Sequence, residues 1–200
     1  WDYYAYDILN ALYLQADYGW DCLLNSAVKM NASAQYIYES EVGDALAGDV
    51  ESSYFGAKLG AAYNALSGYA AFSTTGSNND TVTNGGIISP WGGMPAFTQG
   101  MVTRHMFFAD TDAWKVAASY NFKDLGMPLV ATAYYASFDI GADNTYKPGI
   151  AWEAEESGLD FSYIPDSMKN VEFKLRANYT TDFAPGTDWD EYRFIVNYNF

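Results

Sequence analysis

The sequence predicts an all-β fold, a transmembrane antiparallel β-barrel, on three observations. Apolar and polar residues alternate with period two along almost the whole chain. Aromatic residues make up 18% of it, with 18 Tyr, 12 Phe and 6 Trp. Tyr and Trp favour places where one end of the ring is apolar and the other wet, as at a membrane–water boundary. Half of the residues are hydrophobic, yet mean hydropathy is −0.18, so the apolar residues are spread among polar ones. There is no run of about 18 apolar residues for a membrane helix.

Roughly ten strands follow from the alternation, near 1–8, 11–20, 27–39, 51–63, 67–75, 111–122, 129–140, 151–164, 171–182 and 191–200. Most reach the 9–11 residues that a tilted membrane strand needs. The second sets Leu12, Leu14, Ala16, Tyr18 and Trp20 against Tyr13, Gln15, Asp17 and Gly19. The third sets Met30, Ala32, Ala34, Tyr36 and Tyr38 against Asn31, Ser33, Gln35 and Glu39. In the fourth, Phe55, Ala57, Leu59, Ala61 and Tyr63 oppose Lys58 and small residues. In the sixth, Trp114, Val116, Ala118, Tyr120 and Phe122 oppose Lys115, Ala117, Ser119 and Asn121. In the ninth, Val171, Phe173, Leu175, Ala177 and Tyr179 oppose Glu172, Lys174, Arg176 and Asn178. The last, "EYRFIVNYNF", sets Tyr192, Phe194, Val196, Tyr198 and Phe200 against Glu191, Arg193, Ile195, Asn197 and Asn199.

A soluble sandwich or barrel alternates too, with its apolar face turned inward. Here the polar face mixes Gly, Ala, Ser and Asn with Lys58, Lys115, Lys174, Arg176 and Arg193. The apolar face carries aromatics near the strand ends: Tyr63, Tyr120, Phe122, Tyr179 and Phe200. That distribution fits lipid outside and a wet lumen inside. Closed barrels also satisfy every backbone group without water.

The connections alternate in length. "NAL" at 64–66, "KDLGMP" at 123–128 and "PDSMKN" at 165–170 read as short turns. Segments 40–50, 141–150 and 184–190 read as longer loops, and 76–110 as the longest. Short turns on one side and long loops on the other is the outer-membrane layout, with the long loops outside the cell. A 76–110 loop exceeds an ordinary connector. Its Gly and Pro in "SPWGGMPAFTQG" suit a shaped loop, with Trp91, Met94 and Phe97 able to pin it.

A net charge of −15 opposes nucleic-acid binding. The single Cys22 makes neither an internal disulfide nor a metal or redox motif. The only histidine, His105, stands beside Arg104 with no distinctive Ser or Asp around it, which opposes an outer-membrane hydrolase. Acidic clusters at Glu39/Glu41/Asp44/Asp49 and Glu153/Glu155/Glu156 are expected toward the outer loops, raising cation concentration or holding divalent ions among lipopolysaccharide. No stretch has calcium-loop spacing, and no metal or cofactor is expected.

Across nearly its whole length the chain resembles the OprD family of Gram-negative outer-membrane porins. "WDYYAYDILNALYLQADYGW" and "GDVESSYFGAKLGAAY" with "GYAAFSTTGSN" resemble its hairpins. "ISPWGGMPAFTQGMVTRHMFFADTDAWKVAASYNFKDLGMP" resembles its long inward loop and return strand, and is the most specific part. "AWEAEESGLDFSYIP", "SMKNVEFKLRANY" and "DEYRFIVNYNF" resemble the closing strands. The resemblance implies a barrel of about eighteen strands. Of these the chain supplies about ten, the carboxyl-terminal portion, so Trp1 is expected to lack its partner strand. It implies passive diffusion of small hydrophilic solutes or ions, with no catalysis and selection by charged rows on the wall. Lys58, Lys115, Glu172, Lys174, Arg176, Glu191 and Arg193 would line the pore. The 76–110 loop would fold inward to narrow it, presenting Arg104 and Asp110 at the constriction. Arg176 and Arg193 stand out, because guanidinium groups bind carboxylates bidentately. The strand "VATAYYASFDI" has no basic residue where the family's arginine ladder would run, so a general small-solute pore is expected. Implied partners are outer-membrane lipid and lipopolysaccharide, the barrel assembly machinery through the terminal aromatic Phe200, and copies of itself as monomer or trimer. The competing reading is a non-conducting structural barrel or adhesin.

Overall fold

The computed structural model describes residues 1–89 and 93–199. Trp91 and Phe200 lie outside the described residues. Ten strands form one antiparallel meander in chain order. They are β1 (Asp2–Ala5), β2 (Leu9–Asp21), β3 (Lys29–Glu41), β4 (Glu51–Tyr63), β5 (Leu66–Thr75), β6 (Thr111–Asn121), β7 (Leu129–Ile140), β8 (Trp152–Tyr163), β9 (Val171–Ala184) and β10 (Thr187–Tyr198). Among the described residues β1 and β10 each have one strand neighbour, so the sheet is open. Among the described residues no helix is long and apolar enough to cross a membrane. Between β2 and β9 every strand has a neighbour on both sides to satisfy its backbone groups.

The alternation fixes the two faces. Leu14, Tyr18, Phe55, Leu59, Phe72, Trp114, Val116, Leu175, Phe194 and Val196 share the outer face and are exposed. The inner face holds the buried Tyr13, Gln35, Tyr54, Ser73, Ala113, Lys115, Ala136 and Glu156. Cross-strand registry keeps like with like: Phe161 pairs with Leu175, and Leu175 with Phe194. A one-residue slip would turn every side chain to the wrong face, so the contrast between an apolar outer face and a polar, loop-covered inner face holds the register.

Connections at the two ends differ as the alternation in length predicts, with two corrections. Residues 184–190 are not a loop. Ala184 pairs with Thr187, and the strands turn on Pro185 and Gly186, whose φ is 71°. Asp182, at φ 48°, accepts a hydrogen bond from the Gly186 N–H at 2.8 Å and donates its own N–H to Asp188 at 3.0 Å. The Asp and Gly that read as loop composition therefore build a bulge and a tight turn. Near the amino terminus, 1–8 is the four-residue β1 followed by a turn with Asp7 at φ 55°.

The loop between β5 and β6 covers the polar face. A core cluster joins Ile87, Met94, Met106 and Phe107 of this loop to Leu9, Tyr13, Ile37, Tyr54, Phe138 and Ile140 of the wall. Each large apolar side chain buried there contributes about 1.5–3 kcal/mol. The core thus lies between the loop and the inner face, inside the curve of the sheet.

Candidate functional site

The loop is held along its length by side chains of the wall. Ser52 on β4 donates its hydroxyl to the Gly86 carbonyl at 2.8 Å. Glu39 on β3 accepts the Ile88 N–H at 2.7 Å, and Gln35 accepts the Phe97 N–H at 3.1 Å. Ser73 on β5 bonds Thr98 through their hydroxyls at 2.6 Å. Lys115 on β6 donates its ammonium to the Gln99 carbonyl at 2.5 Å. Glu156 on β8 accepts the N–H groups of Met101, Val102 and Thr103 at 2.6, 3.3 and 2.7 Å, and also the Tyr134 hydroxyl. Thr75 donates its hydroxyl to the Met106 carbonyl at 2.5 Å. Hydrogen bonds to a carboxylate or ammonium are the stronger kind, about 1.5–3 kcal/mol each.

Two of these anchors correct the placement of the acidic clusters. Glu39 and Glu156 are fully buried under the loop, not at the mouth. Parity separates them from Glu153 and Glu155, which lie on the other face of β8, where Glu153 accepts the Ser137 hydroxyl at 2.8 Å.

Between the loop tip and the wall lies a cavity of about 440 Å³. Its lining includes Gln99, Met101 and Arg104 from the loop, Tyr69, Lys115, Thr132 and Tyr134 from the middle strands, and Asp160, Arg176 and Arg193 from β8–β10. Arg176 and Arg193 are direct cross-strand partners. Such a like-charge pair is unfavourable alone. Each has a carboxylate: Arg176 Nε meets Asp160 at 2.5 Å, and Arg193 Nε bonds Glu191. Toward the turn end, Lys174 meets Glu172 at 3.3 Å, and Glu172 accepts from Ser162 at 2.5 Å and Asn197 at 2.9 Å. Half-solvated pairs like these contribute little to stability and serve to hold charge at the surface.

On β4–β6 small residues stand around the inward Tyr69. Gly60, Ala62, Ser67, Ala117 and Ser119 occupy neighbouring inner positions on β4–β6. Tyr134 leans across Gly158, its partner on β8, where a Cβ would stand 2.2 Å from the ring. The glycine is what lets the phenol reach Glu156.

The remaining sequence-picked residues separate. Lys58 stands 4.5 Å from the Phe97 ring and 5.9 Å from that of Tyr69. Lys115 is buried, with its ammonium 4.2 Å from the Tyr134 ring, so it acts first as a loop anchor. Met94 is buried in the core beneath the loop. Arg104 reaches the cavity, whereas Asp110 sits exposed at the loop's exit, where its backbone bonds Gly76 and Gly141. Sequence reasoning missed Asp160, Tyr134 and the anchoring Glu39 and Glu156. Parity was the usable signal, since Glu156, Gly158 and Asp160 share the inner face of β8.

His105 leaves the solvent altogether. Its ring lies 4.8 Å from Phe108 and 4.9 Å from Phe183, with Phe138, Trp152 and Tyr146 at 6.0–6.2 Å. The bulge at Asp182 is what turns Phe183 toward it. Burial pushes the imidazole down to about 4, opposed by the Glu156 carboxylate and the Phe183 backbone. The folded value lies below the unfolded 6.5, so the packed loop gains full stability above pH 6.5 and loses it as pH falls toward 4. The loss amounts to about 3 kcal/mol at most. Amide protection at 105–107, corrected for the intrinsic pH dependence of exchange, is expected to fall over that window, and His105→Phe to weaken the fall.

A single antiparallel layer, apolar outside and polar inside, with one loop pinned across its polar face, is the wall of a membrane β-barrel of the porin kind. The family model for outer membrane porins of the OprD family matches residues 2–200. The chain belongs to that family. Among solved structures, Pseudomonas aeruginosa OpdL superposes with a TM-score of 0.81 at 21% identity, over 96% of this chain and 52% of that one. A BenF-like porin from Pseudomonas fluorescens Pf-5 gives 0.79 at 21%, over 98% and 49%. Pseudomonas aeruginosa OpdK with vanillate gives 0.80 at 18%, over 96% and 49%. At these identities the likeness is one of fold, and the chain spans about half the length of each. No curated protein matches it.

Proposed function

We propose that this chain is the carboxyl-terminal wall and constriction loop of an outer-membrane diffusion channel for small hydrophilic solutes, with a preference for anions. The observation that carries this reading is the cavity under the loop tip. Its lining brings together Arg104, Lys115, Arg176 and Arg193, against the carboxylate of Asp160, with Glu191 beside Arg193. Paired guanidinium groups suit a passing carboxylate, which exchanges with the resident Asp160 and Glu191 at little cost. Passage of this kind needs no bond-making group. The OpdK structure with vanillate is an aromatic carboxylate in a porin of the same fold. The channel reading also places the protein in the outer membrane, with lipid against the exposed aromatic face.

The test is planar-bilayer recording on the full-length protein under a potassium chloride gradient. A steady conductance is expected, with a reversal potential of the sign set by chloride. Absence of current at every voltage overturns the proposal and favours a structural barrel. A reversal potential set by potassium overturns the anion preference.

A further inference from the structure

We propose that Glu156 is the positioning residue of the constriction loop, and so sets the aperture of the channel; the aperture part rests on the channel reading above. A carboxylate in the middle of a barrel wall, fully buried, needs strong compensation. Here three successive backbone N–H groups, those of Met101, Val102 and Thr103, converge on it. Successive N–H groups turned to one side form an anion-binding concavity. The turn that makes it is closed by the Gly100 N–H on the Thr103 carbonyl at 3.0 Å. Gly100 has no room for a side chain, because a Cβ there would stand 2.4 Å from a carboxylate oxygen.

The other side of the carboxylate is fixed from the sheet. Tyr134 on β7 donates its hydroxyl to the same oxygen that Met101 uses. From β6, Lys115 holds the adjacent Gln99 carbonyl and lends positive charge nearby; from the loop, His105 is the other titratable neighbour. On β9 the facing partner is Thr180, which carries no charge. One side chain thereby fixes the backbone of the loop tip, whose Gln99, Met101 and Arg104 face the cavity. An amide in place of the carboxylate cannot do this. Its NH₂ would point at donors, and its single oxygen accepts fewer bonds.

The experiment is Glu156→Gln in the full-length protein, with Glu156→Asp as the conservative variant, at neutral pH. Amide exchange at 101–103 is expected at least about tenfold faster in the Gln variant, since one charge-assisted bond alone exceeds a factor of ten. The Asp variant is expected between Gln and wild type. Single-channel conductance and current noise should rise in the same order, while strand amides and heat-modifiable migration stay unchanged. Exchange and conductance identical to wild type overturn the proposal. If the Gln variant fails to assemble, Tyr134→Phe keeps the charge and removes one donor. It should show a smaller change in the same direction, and no change there overturns the proposal equally. Faster exchange at 101–103 in a protein whose wild type passes no current upholds the positioning of the loop and overturns the channel. A conducting wild type with an unaltered Glu156→Gln variant does the reverse.

Discussion

Replacing Arg176 and Arg193 together by Gln is expected to abolish the anion preference of the channel. The two side chains are cross-strand partners, so their fields add at one level of the wall. Removing both leaves Asp160 and Glu191 without their ion-pair partners at that level. The local charge then swings by two units toward negative. At about 4 Å, each unit charge in a watery lumen is worth about 1 kcal/mol, and more at the low-dielectric wall. Two such changes correspond to more than a tenfold shift in the anion-to-cation permeability ratio. The reversal potential in a salt gradient reads this directly. Single replacements are expected to give roughly half the effect. A double variant that keeps the wild-type reversal potential would move the selectivity elsewhere, to Arg104 or Lys58.

The second large effect is expected from Gly100→Val. Its Cβ would sit 2.4–2.8 Å from the three carboxyl atoms of Glu156, and the added methyls cannot be accommodated by a side chain already tied down by hydrogen bonds. Either the loop tip or the carboxylate must leave. Leaving a buried carboxylate without its donors costs roughly 3–5 kcal/mol. Re-solvating the released tip in the lumen is the cheaper outcome. The barrel is therefore expected to assemble with an unpinned tip, a higher and noisier conductance, and weaker selectivity. Gly100→Ala should fall between. Normal conductance in the Val variant would mean that the tip does not set the aperture.

Much of the sheet could be read from the sequence because a membrane strand is solvated differently on its two faces. The alternation from Tyr54 to Tyr63, or from Val171 to Tyr179, leaves only one phase open, and β4 (Glu51–Tyr63) and β9 (Val171–Ala184) contain it. What escaped is what depends on partners distant in sequence. Gly186 and Asp188 look like a loop until Ala184 is seen to pair with Thr187. Glu39 and Glu156 look like surface acids because their partners are backbone N–H groups, which no side-chain pattern reveals. The inward course of the 76–110 loop was suggested by family resemblance. Its anchors become visible only when Gln35, Ser73, Lys115 and Glu156 are seen to share the face it covers. Tyr134 was overlooked for the opposite reason, as one aromatic among many on a strand without a basic residue.

The anchors of the loop have one property in common. From Gly86 to Met106 the wall grips mainly carbonyl and amide groups of the loop, with Thr98 and Phe97 the side chains it also holds. Every residue type but proline supplies both groups. The loop can accordingly exchange Gln99 or Met101 for other residues while keeping its path, provided Gly100 stays. In a channel built this way, what passes could change with the letters of a single segment, leaving the load on the surrounding staves unchanged.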